Sequence, residues 1–206
     1  MRIGAFGGSF DPVHYGHLLM AELCREQCKL DEVWFLPTAV SPLKPQSPPA
    51  SAEDRVAMLN LAIAGHTAFR VNTLDVTRGG LSFTVEMLAS LKNETPNDEL
   101  FFLMGLDSLH TFSTWREPQR ICQMATLVVA SRPGVEEPDY QELTNLLGFP
   151  TAERIRHHRV TTPILGLSST EIRRRVSVGQ SIRFQTPRAV EEYILGHGLY
   201  RMVSAT

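Results

Sequence analysis

The sequence predicts an α/β fold, a Rossmann-like doubly wound parallel sheet with a small C-terminal helical portion. Short apolar runs bounded by Gly, Pro or polar residues recur along the chain, helix-period segments lie between them, and a Gly-rich stretch joins the first run to the first helical segment. Alternation of this kind implies right-handed parallel crossovers, with ligands bound beyond the carboxyl ends of the strands.

The expected strands are Arg2 to Phe6, Val33 to Pro37, Phe69 to Asn72, Leu100 to Gly105 and Thr126 to Ser131. Gly16 to Cys28, Glu53 to Ala64, Thr84 to Lys92 and, less regularly, Trp115 to Met124 carry the helical period. Ser168 to Tyr200 reads as two helices separated near Gly179 to Thr186, with Pro187 suited to the first turn of the second. Two connections stand out. Thr38 to Ser51, with Pro42, Pro45, Pro48 and Pro49, is long enough to bind a ligand, and Ser51 three residues before Asp54 marks a helix start. Pro133 to Pro163 carries no clear pattern and reads as a loop.

A chain of 206 residues, 43% hydrophobic and 20% charged, can bury one substantial core, so residues 1–206 read as a single domain. No run approaches the roughly 18 apolar residues of a membrane span, and the N-terminus has no leader-like segment. An odd set of three cysteines, Cys24, Cys28 and Cys122, fits reduced thiols, and a cytoplasmic location follows. Cys24 and Cys28 share a helical face. A buried structural role is preferred to a metal pair, because neither has a second Cys or His pair at zinc-finger spacing. The net charge of −2 argues against a nucleic-acid binder, so a polyphosphate ligand must meet local basic residues. Arg173, Arg174 and Arg175 are the densest supply, the latter two reading as a solvated helix face.

The chemistry concentrates in Gly7-Gly8-Ser9-Phe10-Asp11-Pro12-Val13-His14-Tyr15-Gly16-His17. Gly7 and Gly8 let the backbone turn tightly and bring N–H groups to phosphate oxygens. His14 and His17, three apart at the mouth of a helix, can both face a phosphate held near its N-terminus, and Gly16 keeps the approach open. Asp11 suits either a magnesium ion or, more in keeping with an Asp-Pro pair, a turn in which it caps local N–H groups.

This segment resembles the G-x-F-D-P-x-H-x-G-H signature of the nucleotidyltransferase superfamily. Leu167-Ser168-Ser169-Thr170-Glu171-Ile172-Arg173 resembles its I-S-S-T-x-I-R motif. Read physically, Ser168 and Glu171 make a capping box, leaving N–H groups and the hydroxyls of Ser169 and Thr170 to hold phosphates, while the Arg173 fork suits the departing pyrophosphate. Further segments are similar to nicotinate mononucleotide adenylyltransferases over nearly the whole chain. They are Phe35-Leu36-Pro37 with Ser41-Pro42-Leu43-Lys44, Ser82-Phe83-Thr84, Gly105-Leu106-Asp107-Ser108 with Thr114-Trp115, Val129 to Gly134, and Pro187 to Tyr200. Leu43 stands where the family has histidine, and Phe83 where it has tyrosine, departures that bear on acceptor affinity.

The resemblance implies transfer of AMP from ATP to nicotinate mononucleotide. His14, His17, Lys44 and Arg173 would be catalytic. Gly7, Gly8, Ser9, Phe10, Asp107, Ser168, Ser169 and Thr170 would bind ATP, with Asp107 placed for a ribose hydroxyl or magnesium. Thr84, Trp115 and Arg132 would bind the acceptor, the indole stacking on the pyridine ring. Magnesium would be held mainly by ATP phosphates rather than by protein side chains. Neither a nucleic acid nor a membrane is an expected partner. A homo-oligomer is compatible with the sequence, which does not set the oligomeric state.

Phosphopantetheine adenylyltransferases and cytidylyltransferases fit less well, the former usually having Thr where His14 stands and the latter a different closing motif. The chain has no K-M-S-K-S run and no room for the anticodon-reading domain of an aminoacyl-tRNA synthetase. Presence of both histidines, the lysine and the arginine argues against a nucleotide-binding module that no longer turns over. Nicotinate against nicotinamide stays open on the residues alone, since pocket donors and acceptors decide it, while the resemblance favours the acid.

Overall fold

The computed structural model describes residues 1–40, 49–131 and 137–201. In chain order the strands are β1 (Arg2–Gly8), β2 (Glu32–Pro37), β3 (Phe69–Val71), β4 (Glu99–Gly105), β5 (Ala125–Ser131) and β6 (Arg159–Thr161). The helices are α1 (Tyr15–Gln27), α2 (Ala52–Ile63), α3 (Leu74–Arg78), α4 (Thr84–Glu94), α5 (Leu106–His110), α6 (Pro118–Met124), α7 (Tyr140–Leu147), α8 (Phe149–His157), α9 (Ser169–Ser177) and α10 (Arg188–Gly196). A 3₁₀ turn, Phe112–Thr114, stands between α5 and α6.

The sheet runs β3-β2-β1-β4-β5-β6 and every pairing is parallel. Strand order reverses between β1 and β4, the switch point at which doubly wound sheets open a crevice at their carboxyl edge. All five expected runs are strands. β6 was not expected, and neither were α7 and α8, which fill most of the stretch from Pro133 to Pro163. Residues 140–161 are therefore largely helix and strand, a correction to their reading as part of a loop. Few of their side chains are fully buried: Val160 alone in β6, Leu143 alone in α7, and Ala152 and Ile155 in α8.

Alternate residues of each central strand feed opposite faces. Phe101 and Leu103 join Val33, Phe35 and Val128 on one face, where α1, α2, α9 and α10 add Cys24, Met58, Leu59, Ile172, Val190 and Ile194. Leu100, Phe102 and Met104 join Ile3, Ala5, Leu127 and Val129 on the other, covered by Leu88, Leu91, Leu109, Ile121 and Ile155. Burial on both faces explains why these strands read as unbroken apolar runs. The C-terminal helical portion is thus part of one face, and Tyr193 of α10 donates its hydroxyl to Asp54 Oδ1 of α2 at 2.9 Å.

Local signals mark the helix starts. Ser51 Oγ accepts from the Asp54 N–H at 3.0 Å, while Pro187 takes the N-cap of α10, one position before its expected place. Cys24, Cys28 and Cys122 are free and buried, and burial pushes the Cys24 thiol up to about 12 and that of Cys122 to about 11. Among the described residues, no helix is long and apolar enough to cross a membrane.

Candidate active site

The first motif leaves the carboxyl end of β1, but the turn is not made by its glycines. Gly7 and Gly8 complete the strand, and the left-handed residue is Phe10, with φ 47°. A side chain rarely adopts that conformation. Burial to 1% exposure holds it there, the ring lying edge-on to Phe6, His17 and Phe35 at 5.3, 5.1 and 5.6 Å. Gly8 provides space: a Cβ there would stand 3.1 Å from the Phe10 ring. With its ring in the core, Phe10 has only its backbone to offer a nucleotide.

His14 caps α1 in extended conformation, and its main-chain N–H donates to His17 Nδ1 at 3.3 Å. A neutral His17 therefore carries its proton on Nε2. The two imidazoles stack at 3.7 Å with 21° between planes. Gly16 makes room for this pair, since a Cβ there would lie 3.0 Å from the His14 ring. His14 is 7% exposed, and its Nδ1 is buried without a partner among the described residues. Burial lowers its pKa to about 4, so the imidazole is neutral near pH 7.

His17 opens onto a cavity of about 570 Å³ at the carboxyl edge of the sheet, shared with Gly7, Gly8 and Ser9. Thr84, Phe102, Ser108 and Trp115 line it as well. Its size suits a mononucleotide. Trp115 is braced by Phe102 at 6.0 Å and Phe112 at 5.5 Å, with its Nε1 buried and unpartnered among the described residues. The Arg116 guanidinium lies 4.8 Å over the Phe83 ring and pairs with Glu86 at 2.8 Å. Asp107 opens α5, beyond β4 and next to Ser108.

The second motif reaches the first across the top of β1. Ser168 caps α9 by accepting from the Glu171 N–H at 3.2 Å, but the reciprocal arm of the expected capping box is absent: Glu171 holds Arg174 at 2.7 Å instead. The hydroxyls of Ser169 and Thr170 differ in what they leave open, since Ser169 gives its proton to a carbonyl whereas Thr170 only accepts and keeps its proton to donate. Ser169 donates to the Pro12 carbonyl at 2.9 Å, and Thr170 accepts from Arg173 at 3.4 Å. Arg173 Nη1 donates to the Asp11 main-chain carbonyl at 2.6 Å. Lys44 and Arg132 lie outside the described residues, as do Ser41, Pro42 and Leu43.

Residues 5–175 match the family described as cytidylyltransferase-like. The chain is 45% identical over 204 residues to a "probable nicotinate-nucleotide adenylyltransferase" of Thermomicrobium roseum, covering 99% of this chain and 94% of that protein. A protein of the same name from Thermus thermophilus is 44% identical over 202 residues, 98% of this chain and all of its own length. The chain belongs to the nicotinate-nucleotide adenylyltransferase family. Among solved structures, Plasmodium falciparum nicotinic acid mononucleotide adenylyltransferase complexed with NaAD shares the fold, with a TM-score of 0.76 over 97% of each chain at 18% identity.

Three residues near this family member's site carry contacts to which the sequence assigned no role. Arg55 is 1% exposed, and its Nη1 donates to the carbonyls of Ser9 at 2.9 Å and Thr38 at 2.8 Å, tying the ends of β1 and β2 together. Its signal was present: Arg55 falls in register with Met58, Leu59 and Ile63 on the buried stripe of α2. Asp75, also 1% exposed, lines the cavity 2.6 Å from Arg78 Nη2, and burial pushes its carboxyl up against that arginine. Tyr200 donates its hydroxyl to Asp11 Oδ1 at 2.6 Å, a contact no local pattern could announce.

Proposed function

We propose that the stacked histidines, Arg173 and the cavity beside Trp115 carry out the reaction of this family, joining the adenylyl group of ATP to nicotinate mononucleotide and releasing pyrophosphate. The observation that carries it is the His14–His17 pair at the start of α1, opening onto the cavity at the switch point of the sheet. In this reading the 5′-phosphate of nicotinate mononucleotide attacks the α-phosphorus of ATP in line; the new P–O bond forms as the bond to the bridging oxygen breaks. The acceptor is already ionised, so the protein holds two anions together and stabilises departing charge rather than supplying a strong base.

His17, protonated on Nε2, donates to a phosphate oxygen. His14, held neutral by burial, gains proton affinity beside a polyphosphate. The N–H groups at the start of α9 face the same anion, and Arg173 and Lys44 offset charge on pyrophosphate and acceptor. Asp107 takes a ribose hydroxyl. Trp115 stacks on the pyridine ring near Thr84, with Arg132 closing the acceptor side.

Magnesium would be carried mainly by the ATP phosphates, in keeping with its use of few protein ligands beside substrate phosphates. Riding there, the ion would screen the phosphates and ease pyrophosphate departure. The three buried thiols suit a reducing cytoplasm.

Pyrophosphate release from ATP and magnesium, compared with nicotinate mononucleotide, nicotinamide mononucleotide and phosphopantetheine as acceptors, tests the reading. Release with the nicotinate form is expected. Preference for another acceptor overturns the substrate assignment, and silence with all three overturns the activity.

A further inference from the structure

Asp11 is the least exposed charged residue of the phosphate loop, at 2%. Its Oδ1 receives the Tyr200 hydroxyl at 2.6 Å, and its Oδ2 lies 3.9 Å from Arg173 Nη1. The same Nη1 donates to the Asp11 main-chain carbonyl at 2.6 Å. Arg55, buried beneath the loop, faces the carboxylate from α2, and the Ala50 N–H donates to it. Burial raises the proton affinity of Asp11, whereas Tyr200, Arg173 and Arg55 favour its ionised form. One oxygen thus accepts from a phenol while the other faces a guanidinium, so the carboxylate has protein partners on both sides.

Tyr200 is itself held in the left-handed region, with φ 61°, after the turn in which the Leu199 N–H donates to the Ile194 carbonyl at 3.0 Å. Such a conformation costs free energy, and it brings the phenol onto a residue 189 positions earlier.

We infer that Tyr200 and Asp11 are a positioning pair for the triphosphate site. The phenol fixes the carboxylate, and the carboxylate with its own carbonyl aims the Arg173 fork at the loop that carries His14 and His17. A guanidinium held at two points can meet a phosphate in one geometry; one that has lost its anchor samples several, and transition-state and ground-state contacts weaken together. Neither residue touches ligand in this scheme.

The inference rests on the adenylyltransferase reading for the ligand it names, and the two are tested separately. Calorimetric titration of the full chain with magnesium ATP reads the positioning pair without turnover, while pyrophosphate release by the unaltered chain with nicotinate mononucleotide reads the activity. Tyr200→Phe removes only the hydroxyl. It is expected to weaken ATP binding about tenfold, with full stoichiometry and an unchanged KM for nicotinate mononucleotide, beside the lower melting temperature that a lost hydrogen bond to a buried carboxylate brings. Asp11→Asn, which keeps an acceptor for Tyr200 but removes the charge facing Arg173, is expected to weaken ATP binding as well and decides the matter if the first variant fails to fold. ATP affinity within twofold of the parent in a folded variant overturns the inference, as does a loss confined to stoichiometry and melting temperature, the mark of a merely structural contact.

Discussion

Two imidazoles stacked at 3.7 Å cannot both be cations without mutual repulsion, and burial keeps His14 neutral near pH 7. His17, the member that lines the cavity, is placed to donate to a phosphate that gains charge as the reaction proceeds. His17→Ala is therefore expected to lower kcat by about 10², the scale of one lost charge-stabilising donor, in a pyrophosphate-release assay. His14 makes a different prediction. Its folded pKa, about 4, lies below the ordinary 6.5, so the unfolded chain takes up the proton first as the solution is acidified. The contribution is intact above about pH 6.5 and is lost progressively towards pH 4. Urea unfolding should show a loss of roughly 2 kcal/mol between pH 7.5 and 5 that His14→Gln abolishes. In nuclear magnetic resonance titrations, magnesium ATP should raise the His14 pKa. The histidine pair was legible because its spacing is itself the chemistry. Phe10 was not, since the strain belongs to the backbone and the adjacent glycines drew the expectation of a turn. Tyr200 was legible only as a family position, because its partner lies at the other end of the chain.

Helix α9 shows how an element carries a motif. Ser168 ends one backbone conformation and begins another, accepting the Glu171 N–H, while Ile172 and Val176 bury the inner face. Ser168→Ala should cost about 1 kcal/mol in urea unfolding, the ordinary value of a lost cap. Glu171→Ala should leave stability nearly unchanged, because its ion pair with Arg174 lies on the exposed side of the helix. The four residues from Ser168 to Glu171 were thus read correctly as a helix start and incorrectly as a reciprocal box, since a nearby arginine competes better for the glutamate than the cap N–H does. α7 is a different case. Asp139 does cap α7, accepting from the Gln141 and Glu142 N–H groups, and Tyr140, Leu143 and Leu147 fall at i, i+3 and i+7 against the core, so that stripe was present in the sequence and went unread.

At the scale of the molecule, a central sheet sealed on both faces gives the site its rigidity. Leu103 of β4, 1% exposed, packs in the core opposite the face that carries the catalytic cavity's Phe102. Leu103→Ala should cost about 2–5 kcal/mol in urea unfolding while leaving both KM values of the folded enzyme unchanged. The strand order could be anticipated in kind, because alternating strands and helices admit few topologies, but the added edge strand could not: β3 is equally short yet starts on the buried Phe69, whereas β6 sets the single buried Val160 between Arg159 and Thr161. One consequence concerns synthesis rather than catalysis. Arg173 grips a carbonyl 162 positions upstream. On a ribosome adding about 5–20 residues per second, the histidine loop emerges roughly ten to thirty seconds before the arginine that completes it. Until then a nascent chain can pair β1 with its neighbours but lacks one of the cations assigned to the triphosphate, so ATP should bind more tightly to chains that have passed position 173 and stabilise those in preference to shorter ones.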